Sequence, residues 1–157
     1  MGIITTTLTI LFLVVFCDGN RTFIMSPELP QSGKYSHGVL VDNTLYIAGQ
    51  VGMDKEGVMV AGGIENETRQ ALINMGHVLT AAGCSFKDVV KTTVYIQNIS
   101  DATIMNQVYV EFFPQNYPAR ATVQIAKLHL DALVEIEGIA VLDLSSTSVA
   151  SHVNMEN

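Results

Sequence analysis

Positive charge is scarce in this sequence. Its 157 residues hold 8 Lys and Arg against 15 Asp and Glu, for a net charge of −7. Binding to a nucleic-acid backbone needs concentrated positive charge, and the few basic residues form no cluster, so no nucleic-acid partner is expected. Charged residues make up 15% of the chain, below the roughly 25% of an average soluble protein. This deficit suggests surface that is buried against other subunits.

Cysteine is almost absent, with only Cys17 and Cys84. Two residues cannot form a disulfide framework or a Cys/His zinc site, and no cofactor motif occurs elsewhere. Cys84 follows a predicted helix stop at Gly83 and is interpreted as a small, half-buried hydrophobic residue rather than a reactive thiol. The histidines show neither metal-ligand spacing nor a nucleophile partner: His37, His77, His129 and His152.

One long apolar run is present, from Leu8 to Phe16. It is too short to span a bilayer, which takes about 20 residues, so no stable membrane anchor is expected. The run suits the apolar region of a secretory signal peptide, with small residues near Gly19 for cleavage. No Lys or Arg precedes it. Two alternatives therefore stay open: an uncleaved anchor or buried strand, and a non-native extension upstream of a start at Met25.

Three glycosylation sequons begin at Asn20, Asn66 and Asn98. They matter only if the chain enters the secretory pathway, and such triplets also arise by chance. They support secretion weakly.

The periodicity of the remaining chain predicts one α+β domain. We divide the sequence into a signal peptide over 1–19, an extended lead-in over 20–32, a folded domain over 33–144 and a flexible tail over 145–157. The predicted strands are Gly38–Val41, Thr44–Ala48, Val89–Ile99, Ala121–Ala126 and Leu133–Leu142, and the predicted helices are Ile64–Ala82 and Ala102–Phe113. Asp42 and Asn43 suit a tight hairpin, and Ser100 and Asp101 suit a helix cap. This order predicts two helices on one face of a mixed sheet.

Apolar strand residues exceed what two helices can plausibly bury. Self-association is the expected remedy for such a surface. The residues behind this expectation are Val39, Val41, Val94, Ile96, Val123, Ile125, Val134 and Ile136.

Arg120 is the strongest candidate for chemistry. Strand alternation puts Arg120, Thr122 and Gln124 on one face, and the guanidinium is a rigid fork that binds a carboxylate in two places. Glu135 shares a face with Glu137 in a later strand, and a carboxylate there could position or deprotonate a water molecule. Together they suggest a pocket for a small organic acid. A surface salt bridge for Arg120 and solvated strand positions for the glutamates are the alternatives.

Several segments match one pattern in the correct order. They are Tyr35-Ser36, Leu45 to Asp54, Gln70 to Gly76, Ala81 to Cys84, Val89 to Val94, Asn106, Phe113, Pro118 to Arg120 and Val134 to Glu137. On these residues the chain resembles the RidA family, also called YjgF/YER057c/UK114, and most closely its animal UK114-type members.

The resemblance implies a chorismate-mutase-like fold and a homotrimer. The three sheets would form a central barrel with the helices outside, and the active sites would lie between neighbouring subunits. The implied activity is hydrolysis of reactive enamines and imines (2-aminoacrylate, 2-iminopropanoate, 2-iminobutanoate) to 2-keto acids and ammonia, which is metabolite damage control. No metal or organic cofactor is expected.

The resemblance also implies roles for individual residues. Arg120 would hold the substrate carboxylate, and Glu135 would orient the attacking water and assist proton transfer. Tyr35 would shape the pocket and donate a hydrogen bond, while Asn106 and Gly49 would line it.

The chain departs from the family pattern at a few positions. Lys34 stands where many members have proline, Ala48 where many have serine, His129 where proline follows the leucine, and Thr122 where some have cysteine. These departures bear on substrate preference and rate. A genuine leader predicts the secretory pathway or the cell exterior, whereas a start at Met25 predicts the cytosol or mitochondrion, as is usual for the family. The competing hypothesis is a secreted, non-catalytic ligand-binding or interaction protein on the same trimeric fold. A ribonuclease fits poorly with the acidic balance.

Overall fold

The computed structural model describes residues 20–31 and 33–143. The predicted signal peptide over 1–19 and the predicted tail over 145–157 lie outside the described residues. Within the part described, no helix is both long and apolar enough to cross a bilayer.

A mixed sheet and two α-helices make up the described chain. The strands are β1 Arg21–Ile24, β2 Gly38–Val41, β3 Thr44–Val51, β4 Val89–Ile96, β5 Ala119–Gln124 and β6 Val134–Val141, and the helices are α1 Gly63–Ala81 and α2 Ala102–Phe112. The strand order is β1-β2-β3-β6-β4-β5. Only the β4–β5 pair is parallel. The predicted α+β class with a mixed sheet is confirmed.

The sheet has six strands among the described residues, and the sequence predicted five. The additional strand is β1, which pairs antiparallel with β2 inside the segment expected to be a mere lead-in. Only one of its four residues, Ile24, is buried. A strand of four residues is too short to show a clear periodicity in the sequence. It is stabilised by its pairing with β2.

The chain between β4 and α2 also differs from the prediction. β4 ends at Ile96, and Ile99–Asp101 form a 3₁₀ turn where the sequence favoured a longer strand. The side chain of Asn98 accepts a hydrogen bond from the Ser100 backbone N–H at 3.1 Å. Asp101 makes no capping bond to α2. The local cap is therefore Asn98, which starts the turn two residues before the predicted position.

Both helices cover the same face of the sheet. Tyr109 of α2 shares a hydrogen bond with Thr92 of β4, with 2.7 Å between Oγ1 and the phenol oxygen. The apolar core between helices and strands includes Leu45, Ile47, Leu72, Met75, Val78, Val94, Ile96, Met105, Val108, Val134 and Ile136. This confirms the predicted packing of two helices on one face.

The opposite face of the sheet is open in the described chain, but its apolar residues are partly not those we expected. Val94, Ile96, Val134 and Ile136 have no exposed area because they lie under the helices. Strand register instead sends their neighbours to the open face. The large exposed side chains there are Phe23, Tyr46, Val123 and Val141, with exposed fractions between 37% and 66%.

Candidate active site

Arg120 lies on β5, which is an edge strand of the sheet. It pairs with Thr92 of β4, so it projects on the helix side. Its guanidinium carbon lies 4.5 Å from the centroid of the Tyr109 ring. A cation over an aromatic face is held by the ring quadrupole. The hydrogen bond between Tyr109 and Thr92 fixes the ring beneath it, so the exposed guanidinium has a defined position.

A cleft of ≈ 430 Å³ opens beside this guanidinium. Its lining consists of Asn106, Tyr109, Val110, Tyr117, Pro118 and Arg120. No ion pair among the described residues includes Arg120. Asn106 adds a buried Oδ1 that has no hydrogen-bond partner within the described chain. The cleft therefore offers a cation able to bind a carboxylate, next to a polar group whose hydrogen bonding is incomplete.

Tyr109 stays neutral under the guanidinium. Burial raises the pKa of its phenol, and this outweighs the opposing effects of the Thr92 hydrogen bond and the Arg120 charge. A neutral phenol leaves the positive charge of Arg120 available to a ligand.

Glu135 occupies the open face of the sheet on β6. It pairs with Val51 of β3 and with Tyr95 of β4. β3 is irregular between Ile47 and Gln50, and this irregularity brings Gly49 against the carboxylate. A Cβ added at Gly49 would overlap the Glu135 carboxylate, so glycine is the residue that leaves room for it.

The pKa of Glu135 is raised above that of an ordinary carboxyl. Burial is the largest cause, the negative charge of Glu137 adds to it, and His129 opposes it. Glu137 itself accepts a hydrogen bond from the Tyr95 hydroxyl at 3.3 Å. A carboxyl with a raised pKa exchanges protons closer to neutral pH, which suits general acid–base catalysis.

Tyr35 and Gly49 line a second, smaller cavity of ≈ 40 Å³. Tyr35 is 57% exposed, whereas His37 beside it is buried. Nδ1 of His37 accepts from the Ser26 N–H at 3.0 Å, and Nε2 lies 3.1 Å from the Pro30 carbonyl oxygen. These partners require a neutral ring that donates from Nε2. His37 is thus a packed residue that anchors the segment before Tyr35.

The predicted site residues form two groups in the described protomer. Arg120 and Asn106 share the cleft on the helix side, and Gly49 and Glu135 are in contact at the other location, where Tyr35 lies next to Gly49 in the small cavity. Arg120 is in register with Thr92 and Glu135 with Tyr95, the residue three further along β4. Odd spacing along a strand means opposite faces. The two charged candidates therefore point to opposite sides of one sheet.

Tyr109 lines the cleft with Asn106, and their spacing of three was an available signal in the sequence, since such residues share a helix face. Tyr117, 64% exposed, carried no comparable signal.

Cys84 is buried, and burial together with the charge of Asp88 raises the pKa of its thiol to about 11. The expectation of an inert, packed thiol agrees with this. Across residues 20–31 and 33–143, no three His, Cys, Asp or Glu side chains are grouped so that they could hold a metal ion.

The fold and the cleft define an α+β protein with an exposed guanidinium that is able to bind a carboxylate. Residues 25–142 match the family model described as Endoribonuclease L-PSP, and the chain belongs to this family, the RidA family. The 2-iminobutanoate/2-iminopropanoate deaminase of Homo sapiens is 50% identical over 123 residues, which cover 77% of this chain and 90% of that protein.

Solved structures of RidA/YjgF proteins share the fold. RidA from the Antarctic bacterium Psychrobacter has a TM-score of 0.73 at 38% identity, covering 77% of this chain and 99% of the other. TdcF of E. coli, solved with bound serine, has a TM-score of 0.73 at 33% identity, covering 78% and 99%. These likenesses agree with the resemblance seen in the sequence.

Proposed function

We propose that this protein hydrolyses 2-imino and 2-enamino acids, such as 2-aminoacrylate, 2-iminopropanoate and 2-iminobutanoate, to 2-keto acids and ammonia. Animal relatives at 46–50% identity are named as deaminases of this type. The observation that carries the proposal is the exposed guanidinium of Arg120, held over Tyr109 in an open cleft. We place the activity in the cytosol or mitochondrion, where such intermediates arise.

The proposed reaction needs only a few side chains. Arg120 binds the substrate carboxylate through its two-pronged fork. An enamino acid first takes a proton from solvent at its β-carbon and becomes the protonated imine. Glu135 takes a proton from water as the water oxygen bonds to the carbon of the protonated imine, which gives a neutral carbinolamine. Glu135 then delivers that proton to the carbinolamine nitrogen, the C–N bond breaks with its electron pair going to nitrogen, and the hydroxyl proton passes to the departing ammonia as the keto group forms. Tyr35 donates a hydrogen bond at the pocket wall, Asn106 and Gly49 line it, and no metal or organic cofactor takes part.

The opposed directions of Arg120 and Glu135 favour a site made by two subunits. Arg120 lies on an edge strand, from which its side chain can reach beyond its own sheet. The open face bearing Glu135 also carries exposed Tyr46, Val123 and Val141, which need covering. A homotrimer in which one subunit supplies Arg120 and its neighbour supplies Glu135 meets both requirements.

A ribonuclease is less well supported, although the family description names one. The net charge is −7 with 8 Lys and Arg in the whole chain, and a nucleic-acid backbone is bound by concentrated positive charge. The described face around Arg120 presents tyrosines and a proline rather than further cations.

The direct test generates 2-iminopropanoate or 2-iminobutanoate with an amino-acid oxidase and traps it with semicarbazide. Faster loss of imine with the protein, and not with Arg120→Ala, supports the deaminase. A folded protein that does not accelerate the loss of imine would contradict the deaminase proposal and favour the ligand-binding hypothesis.

Mixed assemblies test the shared site. Arg120→Ala and Glu135→Gln are each expected to be inactive alone. Co-assembled at equal amounts as trimers, they regain activity at about a quarter of the sites, because one interface in four pairs an intact Arg120 with an intact Glu135. Mixtures that stay inactive despite verified exchange of subunits would show that both residues act from one chain.

A further inference from the structure

Glu67 is a buried carboxylate for which the mechanism above has no use. It lies in the second turn of α1 and is 7% exposed. Its Oε2 accepts a hydrogen bond from the Leu133 backbone N–H at 2.8 Å, across 66 residues of sequence. Burial raises the pKa of the carboxyl, and the Leu133 bond opposes that shift. Burying a carboxylate is unfavourable unless a bond such as this one compensates.

The bond lies at the start of the strand that carries Glu135. Leu133 directly precedes β6, and its carbonyl accepts from the Gln97 N–H at 2.9 Å. Both backbone groups of Leu133 are therefore held. Just upstream, Leu130 and Asp131 have φ of 59° and 55°. Left-handed backbone is unfavourable in residues other than glycine, so this loop is strained next to the Leu133 bond.

Glu67 also packs against the chain at the end of β3, the strand that pairs with β6 at Glu135. A Cβ added at Gly52 would come within 2.5 Å of the Glu67 Cα, which shows how closely the chain after β3 packs on α1. Gly52 follows Val51, and Val51 is in register with Glu135. The α1 backbone at Glu67 and its carboxylate thus contact both segments that flank Glu135.

A second polar side chain of α1 supports the same segment. Nδ2 of Asn74 donates to the carbonyl of Val51 at 3.0 Å and to that of Met53 at 2.9 Å. Gln70 donates to Oδ1 of Asn74 at 2.9 Å. With β3 held in this way, the Leu133 end of β6 is the part whose position depends on Glu67.

We propose that Glu67 is a positioning residue: its hydrogen bond to Leu133 fixes the start of β6 and so keeps the Glu135 carboxyl beside Gly49. The inference rests on the proposed catalytic role of Glu135. Glu67 does not line the arginine cleft, so its effect falls on proton transfer rather than on carboxylate binding.

Three variants test this. Glu67→Met removes the acceptor at similar length, Glu67→Gln keeps an oxygen acceptor, and Thr68→Val removes the buried bond to the Ile64 carbonyl within α1 only. We expect Glu67→Met to lower kcat about tenfold with KM near that of the wild type, since small misplacements of a catalytic group slow the chemical step. Glu67→Gln and Thr68→Val should both retain wild-type kcat.

The Glu135 pKa gives a readout that does not depend on activity. Titration of ¹³C-labelled carboxyls, with Glu135 assigned through Glu135→Gln, should show a lower Glu135 pKa in Glu67→Met, because the released strand admits water. Glu137, Tyr95 and His129 are the titratable groups that face Glu135 and are followed alongside. If Glu67→Met does not fold, Glu67→Asp replaces it, since the shorter side chain cannot reach Leu133.

The outcomes separate cleanly. A Glu67→Met protein that matches Thr68→Val in both kcat and Glu135 pKa overturns the inference, and so does an equal loss in Glu67→Gln. A wild type without imine hydrolysis removes the proposed function, and the titration then decides the positioning role alone.

Discussion

The two sides of β6 differ clearly in burial. Val134 and Ile136 have no exposed area, because they pack under α1 and α2. Glu135 and Glu137 alternate with them and lie half-buried on the open face, with Val141 37% exposed further along. One face of the strand stabilises the chain, and the other is open in the described protomer.

Arg120 is exposed although it lies on the covered side, and so is Gln124 on the same strand. Arg120 shares the helix face with Thr92, but β5 lies at the sheet edge, where its guanidinium stacks on Tyr109 of α2. The comparison teaches that burial alone does not identify the working residues of this fold. Position relative to the sheet edge also matters.

Removal of the guanidinium should give the largest effect. We expect Arg120→Ala to lower kcat/KM by at least about a hundredfold, since each bond to a charged group contributes about 1.5–3 kcal/mol. The unfolding midpoint should change little because the side chain is exposed. Arg120→Lys, which keeps the charge and loses the fork, should fall in between. Imine-trapping assays on folded protein measure this, and full activity in Arg120→Ala would break the carboxylate role.

The two faces can be compared with one residue type on one strand. Val134→Ala should destabilise the fold by about 2 kcal/mol through lost burial and a cavity, whereas Val141→Ala should cost clearly less. Urea unfolding of both variants provides the measurement. Equal losses would mean that the open face is as tightly packed as the covered one.

Glu135→Gln tests the open face of the sheet through the pH dependence of stability. Because the folded state raises the pKa of Glu135 above 4.5, the folded protein holds this proton more tightly than the unfolded chain. The stabilising contribution is present at acid pH and is lost as the pH rises through the folded pKa. Gln does not ionise, so we expect the variant to melt higher than the wild type at neutral pH.

The gain of Glu135→Gln should vanish below pH 4.5, the ordinary value for this carboxyl. The exposed position Glu56 supplies the control, where Glu56→Gln should bring no such gain. A pH-independent difference in melting temperature would contradict the burial of Glu135.

The smallest effect is expected at Cys84. With a thiol pKa of about 11, the thiolate is rare at neutral pH and the sulfur is buried. Native protein should resist iodoacetamide at this residue, and urea-unfolded protein should react, as followed by peptide mass spectrometry. Rapid labelling of the native thiol would show that this part of the covered side opens.

Local pattern was enough for much of the fold. The helical periodicity predicted α1 to within one residue at each end. The change to strand composition at Val89 predicted the start of β4. β1 escaped because its four residues bury only Ile24, and its stability depends on pairing with β2. The start of the 3₁₀ turn escaped because Ile99 is a β-branched residue, which is typical of a strand.

The sequence by itself determined both helices, five of the six described strands, the family and the candidates Arg120, Glu135, Tyr35, Asn106 and Gly49. Only the tertiary structure decided that Arg120 and Glu135 point to opposite faces. The reason is register: a strand alternates its side chains, so pairing Arg120 with Thr92 and Glu135 with Tyr95 sets their directions, and a slip of one residue would reverse either. No local pattern encodes that pairing, because it joins segments that meet only in the folded sheet.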